Sequence, residues 1–151
     1  MIEFRNDVRN SGVDTRALKA TAKKLLGAVG EDASTVSISL VDDATIRELN
    51  HVHRGKDRPT DVLSFPMYEP DEDHVGDERF IGDIVISIDT ARRQAAEYDA
   101  PLQNEIYRLL IHGLLHLLGH DHMEPEERAQ MEAEERRLAN VISMPWPYDD
   151  A

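Results

Sequence analysis

Four of the chain's seven histidines fall within the eleven residues His112-Gly113-Leu114-Leu115-His116-Leu117-Leu118-Gly119-His120-Asp121-His122, in an order that suits one metal ion. His112 and His116 are four apart, so on an α-helix they differ by about 40° of rotation and about 6 Å of rise. Two imidazoles on one face then converge on a single Zn2+ with Zn–N bonds of roughly 2.0–2.1 Å. Gly119 reads as the helix stop, because glycine accepts the left-handed conformation that ends a helix. If the helix ran on, His120 would lie about 12 Å along the axis from His112, too far to share its ion. With a stop at Gly119, His122 has room to swing back. His122 therefore reads as the third ligand, and His120 as a bystander or a group that supports the ligands from outside. Three protein ligands leave a fourth position for water, the mark of a catalytic rather than a structural zinc site.

The helix that carries these residues must be central. Leu109, Leu110, Ile111, Leu114, Leu115, Leu117 and Leu118 make it apolar nearly all round. Two buried imidazoles on one face each need a partner, and one metal ion serves both. Pro101 opens this helix, which runs to Gly119. Around it, Ile2–Asn6 reads as a strand, and Asp14 or Thr15 caps a helix to about Ala28. Thr35–Val41 alternates strictly and reads as a strand. Asp42 or Asp43 caps a short helix through Ile46 and Leu49. Arg54–Pro66 begins as a loop and ends in the strand-like Val62-Leu63-Ser64-Phe65. Residues 67–79 read as a polar excursion that rims a cleft. Phe80–Ile88 is a strand buried on both faces or nearly so, and Asp89 or Thr90 starts a helix to about Tyr98. Pro125 opens a last, charged helix to about Val141. The expected fold is a single α+β domain, with about four strands in a mixed sheet packed against several helices.

At 151 residues with no cysteine, the chain buries a real core without disulfides, thiolate nucleophiles or a cysteine zinc knuckle. No secretory or membrane-spanning segment is legible, which fits a cytoplasmic home. The net charge of −13 runs against a protein that grips nucleic acid by global charge alone. Much of the acid sits in the Glu69–Glu78 loop and the Glu124–Glu135 run, which read as solvated surface.

Arg54 is open to two readings. Its planar, always protonated fork suits phosphate oxygens and the charge that develops on them. Equally, it reads as an exposed loop arginine pairing with Asp57 or Asp61. Lys56 and Arg58 suit contacts to a phosphate backbone, but two cations beside two aspartates read more readily as a solvated loop. Asp121 suits an imidazole acceptor or a turn former. Asp83 suits the cleft or a strand end. Ser64 and Ser87 lack a nucleophile-elbow context. Trp146 and Tyr148 read as aromatics that pack the C-terminus onto the body.

The spacing H-x-x-x-H-x-x-G-x-x-H also occurs in metallopeptidases of the metzincin type, whose general-base glutamate stands where this chain has Gly113. That substitution weakens a reading as a hydrolase of peptides or small amides and esters. A third possibility is a binding module with a structural metal, and an open fourth coordination position argues against it. The segment from His112 to His122 closely resembles the signature of the YbeY family of metal-dependent endoribonucleases. Arg54-Gly55-Lys56-Asp57-Arg58-Pro59-Thr60-Asp61-Val62-Leu63-Ser64-Phe65-Pro66 is similar to a second block of that family, and Gly82-Asp83-Ile84-Val85-Ile86-Ser87 to a third. The order of blocks agrees from about residue 35 to 140. The resemblance implies a single-strand-specific enzyme that cleaves RNA, matures ribosomal RNA at the small-subunit 3′ end and serves ribosome quality control. It implies one zinc ion at His112, His116 and His122, with Arg54 as an essential cleft residue. His120 departs from the family, whose members often carry tyrosine there.

Overall fold

Periodicity and capping account for most of the elements in the computed structural model, which describes residues 1–67, 79–120 and 123–148. In chain order they are β1 (Ile2–Asn6), α1 (Thr15–Ala28), β2 (Ser34–Val41), α2 (Asp43–Arg54), β3 (Val62–Pro66), β4 (Arg79–Ser87), α3 (Ile88–Glu97), α4 (Leu102–Leu117) and α5 (Pro125–Val141). The fold is α+β, as expected. Asp14 caps α1 by accepting a hydrogen bond from the Ala17 N–H at 3.0 Å, and Asp42 caps α2 through Thr45 at 2.8 Å. Caps of this kind contribute about 1 kcal/mol each.

The sheet has the order β1-β2-β4-β3. β1, β2 and β4 run parallel, and β3 lies antiparallel to β4 on the outer margin. Alternate residues of the central strands then face opposite layers. Ile38, Leu40, Ile84 and Ile86 turn to the main core with α1 and α4. Val41, Leu63 and Val85 turn to a smaller cluster under α2 with Ile46. α4 is the most enclosed helix: Ile106, Leu109, Leu110, Ile111, Leu114, Leu115 and Leu117 are all buried. Each fully buried Leu or Ile contributes roughly 1.5–3 kcal/mol of transfer free energy. No described helix is long and apolar enough to cross a membrane.

Two boundaries differ from the reading of the sequence. α2 does not stop near Leu49 but runs to Arg54, because nothing breaks it until Gly55, whose φ of 68° closes the helix. Buried Asn50 then ties down the following loop, its Nδ2 donating to the Arg58 carbonyl at 2.9 Å. α3 is capped by Ser87 rather than by Asp89 or Thr90. The Ser87 Oγ accepts from the Thr90 N–H at 3.3 Å and donates to Asp43 at 2.6 Å, while Asp89 accepts the Asp43 N–H at 2.9 Å. Those side chains lock the β4–α3 corner to the start of α2. Of the excursion expected at 67–79, residues 68–78 lie outside the described residues.

Candidate metal centre and cleft

α4 ends as its glycine demands. The helix stops at Leu117, and Gly119 adopts a φ of 95°. The Gly119 N–H donates to the His116 carbonyl at 3.1 Å and the His120 N–H to the Leu115 carbonyl at 3.0 Å, the paired bonds of a Schellman cap. Upstream of the cap, His112 and His116 stand one turn apart with half-buried rings. Their centroids are 4.6 Å apart at an interplanar angle of 75°. The two Nε2 atoms meet at 3.1 Å. Two nitrogens on a tetrahedral zinc with bonds of roughly 2.0–2.1 Å lie about 3.3 Å from each other, so this donor pair fits one ion. His122 and Asp121 lie outside the described residues, and among the described residues no three metal-ligating groups gather. His120 lies near Glu134, whose carboxyl is held below its ordinary value by the Arg137 hydrogen bond first and by His120 in smaller part.

The other nitrogen of His112 reveals a residue that pattern reading missed. Its Nδ1 lies 3.7 Å from Oε2 of Glu135 on α5, within ion-pairing reach. Glu135 is buried, a correction to the reading of Glu124–Glu135 as wholly solvated surface. The signal was available in the sequence. On a helix rich in charge, Met131, Glu135, Leu138 and Ala139 form the one buried stripe, and a carboxylate on such a stripe needs a partner. Glu105, fully buried on α4, is a second unforeseen acid. It is matched by Arg108, which stacks 4.6 Å from the Tyr148 ring centroid. Trp146 and Tyr148 pack edge to face at 5.1 Å, closing the C-terminus on the body as expected.

A cleft of about 590 Å³ opens between the histidine pair and the margin of the sheet. Arg54, Thr60, Asp61, Val62, Leu63, Ser64, Pro66 and Met123 line it together with His112 and His116. Arg54 reaches it from the last turn of α2 and is exposed. Neither aspartate weighed as its partner takes it. Asp57 pairs with Arg47 at 2.8 Å, and the Asp61 carboxylate accepts from the Val62 N–H at 2.7 Å and from Gln94 at 3.3 Å. Asp83 does not line this cleft, since it shares its strand face with Val85 on the α2 side. Lys56 and Arg58 sit exposed on the loop, away from the cleft lining. Ser64 and Ser87 are engaged structurally, the Ser64 Oγ donating to the Gly113 carbonyl at 3.1 Å.

Gly113 is explained by the same contact. A Cβ there would stand 2.9 Å from Ile84 Cγ2, 3.2 Å from Ser64 Oγ and 3.3 Å from Val62 Cγ2. α4 presses on β3 and β4 at this point, so even a methyl group would force Ile84 to shift.

Comparisons with known proteins agree with this architecture. Residues 3–143 match the family profile described as Endoribonuclease YbeY. A protein of that name from Persephonella marina is 43% identical over 130 residues, covering 86% of this chain and 84% of its own length. Its counterpart from Pseudomonas putida is 46% identical over 137 residues, covering 91% and 85%. The solution structure of TM1509 from Thermotoga maritima superposes with a TM-score of 0.63 at 27% identity, covering 99% of this chain and 97% of that one. A centre built from His112 and His116, a cleft edged by Arg54, and a match along nearly the whole chain lead to one conclusion: this chain belongs to the YbeY family.

Proposed function

We propose that this chain is a zinc-dependent endoribonuclease that cuts single-stranded RNA, matures ribosomal RNA at the small-subunit 3′ end and takes part in ribosome quality control in the cytoplasm. The observation that carries this reading is the 3.1 Å approach of the two Nε2 atoms inside a cleft that Arg54 edges. The name endoribonuclease borne by the relatives supports the reaction class. His112, His116 and His122 hold the ion. When bound, zinc supplies a Lewis acid for a phosphoryl oxygen and makes water a stronger nucleophile at neutral pH. Glu135 orients His112 so that Nε2 faces the ion. Arg54 clamps the scissile phosphate and neutralises charge as it develops. The peptidase alternative loses ground at Gly113, because the contact with Ile84 leaves no space for a general-base glutamate.

The test is zinc-loaded protein incubated with single-stranded RNA, duplex RNA and a peptide library, alongside the metal content of four histidine variants. Endonucleolytic products from single-stranded RNA alone are expected. His112→Ala, His116→Ala and His122→Ala should lose zinc, and His120→Ala should keep it. Peptide cleavage without RNA cleavage overturns the proposal. Zinc loss in His120→Ala with retention in His122→Ala overturns the ligand assignment.

A further inference from the structure

β3 offers the cleft an edge with a single donor. It lies on the margin of the sheet, antiparallel to β4. The Ser87 N–H donates to the Asp61 carbonyl at 2.9 Å, and the Met67 N–H donates to the Ile81 carbonyl at 3.1 Å. Between them the register pairs Leu63 with Val85 and Phe65 with Asp83. Odd-numbered residues of this stretch therefore turn their backbone groups to β4, and Val62, Ser64 and Pro66 turn theirs outward. All three line the cleft that holds His112 and His116. The Val62 N–H is taken by the Asp61 carboxylate at 2.7 Å, and Pro66 has no N–H to give. Among the described residues of this edge, Ser64 alone brings a backbone donor to the cleft. Its hydroxyl is occupied by the Gly113 carbonyl at 3.1 Å, which also pins the strand to α4 beside His112.

Such an edge is blunted against strand addition. An extended peptide needs donors at alternate residues, and here the position on either side of Ser64 has none to offer. One rigid N–H suits a single anionic oxygen instead. We propose that the Ser64 N–H binds a non-bridging oxygen of the substrate phosphodiester, anchoring it on the β3 side of the cleft while Arg54 holds it from the end of α2. The inference rests on the endoribonuclease reading. A hydrogen bond from a fixed amide to an ionised oxygen is stronger than a neutral one and needs no side chain to be ordered. The outward carbonyl oxygens of Val62, Ser64 and Pro66 flank that donor and disfavour a second anion, so the edge addresses one phosphate.

The experiment follows the Ser64 amide in zinc-loaded, 15N-labelled protein during titration with a short 2′-O-methyl oligonucleotide, which resists cleavage. The Ser64 amide proton is expected to shift downfield and to exchange more slowly with solvent. In parallel, Ser64→Pro removes the N–H at a position the β3–β4 ladder does not use. It should lower kcat/KM for single-stranded RNA about tenfold at unchanged zinc content, consistent with loss of one charge-assisted hydrogen bond. Ser64→Ala, which retains the N–H, should lose less. If Ser64→Pro does not fold, the amide titration decides. Oligonucleotide binding that leaves the Ser64 amide unmoved, or a Ser64→Pro protein as active as wild type, overturns the inference and leaves the nuclease reading standing. Wild-type protein that neither binds the oligonucleotide nor cleaves RNA removes both.

Discussion

Nδ1 of His112 lies 3.7 Å from Oε2 of Glu135, so the ring faces His116 with one nitrogen and a buried carboxylate with the other. Carboxylates in that position fix the tautomer and raise the basicity of a ligating imidazole, and their loss costs about 10–100-fold in metal affinity. Glu135→Ala should therefore weaken zinc binding by that order, and Glu135→Gln, which keeps an acceptor, should recover part of it. Competition against a chelator of known affinity reads the effect directly. Equal affinity in all three proteins would reduce Glu135 to a packing residue.

Arg54 should matter to turnover and little to stability. It is exposed, and substitutions at such sites shift stability by about 0.5 kcal/mol or less. Loss of a charge-assisted phosphate contact costs about 1.5–3 kcal/mol, roughly one to two decades in rate. Arg54→Ala is expected to melt and bind zinc like wild type while cleaving single-stranded RNA that much more slowly. Arg54→Lys should restore only part, because a point charge cannot reproduce the bidentate fork. Cleavage by Arg54→Ala at the wild-type rate eliminates the clamp.

Gly113→Ala sets two effects against each other. Alanine gains about 1 kcal/mol in helix propensity over glycine. Its methyl group would stand 2.9 Å from Cγ2 of Ile84, a fully buried, β-branched side chain that cannot swing away. Overpacking of this kind costs about 1–3 kcal/mol, so a net loss of stability is expected in denaturant titration. Gly113→Glu should be worse and should gain no peptidase activity. A Gly113→Ala protein more stable than wild type would show that α4 can move off the sheet at little cost.

Tyr148 gives the fold an alkaline limit. Burial first, and the Glu105 charge second, push its phenol from 10.0 up to about 12. A folded-state pKa raised above the unfolded one means stability that is complete below pH 10 and lost as pH rises towards 12. Wild type should accordingly lose more stability than Tyr148→Phe between those values. At pH 8 wild type should be the more stable of the two, because in Tyr148→Phe Asn104 loses its 3.0 Å hydrogen bond to the phenol oxygen. Denaturation midpoints at both ends of the range test this, and parallel curves for the two proteins would contradict it.

The readable parts of the chain were those in which local chemistry decides. Among the described residues, period and caps mark the nine elements, all but the end of α2 within a few residues, and the spacing of His112, His116 and Gly119 foretells the paired nitrogens and the helix stop. What escaped was set by tertiary contact. Arg54 is helical because nothing before Gly55 stops α2, although its polar surroundings suggest a loop. Ser87 displaced Asp89 as the cap of α3 once Asp43 from another element came within reach of both. Glu135 stands on the stripe of Met131, Leu138 and Ala139, but only α5 laid against α4 shows which partner its carboxylate meets. Asp57 and Asp61, each a plausible mate for Arg54 by proximity in the chain, had closer partners in space.

Arg54 in the last turn of α2 and His116 in the last turn of α4 line the same cleft. Each helix brings its carbonyl end, worth about half a negative charge, to a chain that already carries −13. The carbonyl ends of two helices beside the cleft favour a cation there and disfavour a polyanion. Arg54 offsets part of that field, and a divalent ion at the proposed centre would reverse it. On the proposed function an order of loading would follow: metal would enter first on a favourable gradient, and RNA would bind the metal-loaded form better than the bare one. An oligonucleotide should therefore bind the chelated protein weakly even where every contact residue is intact.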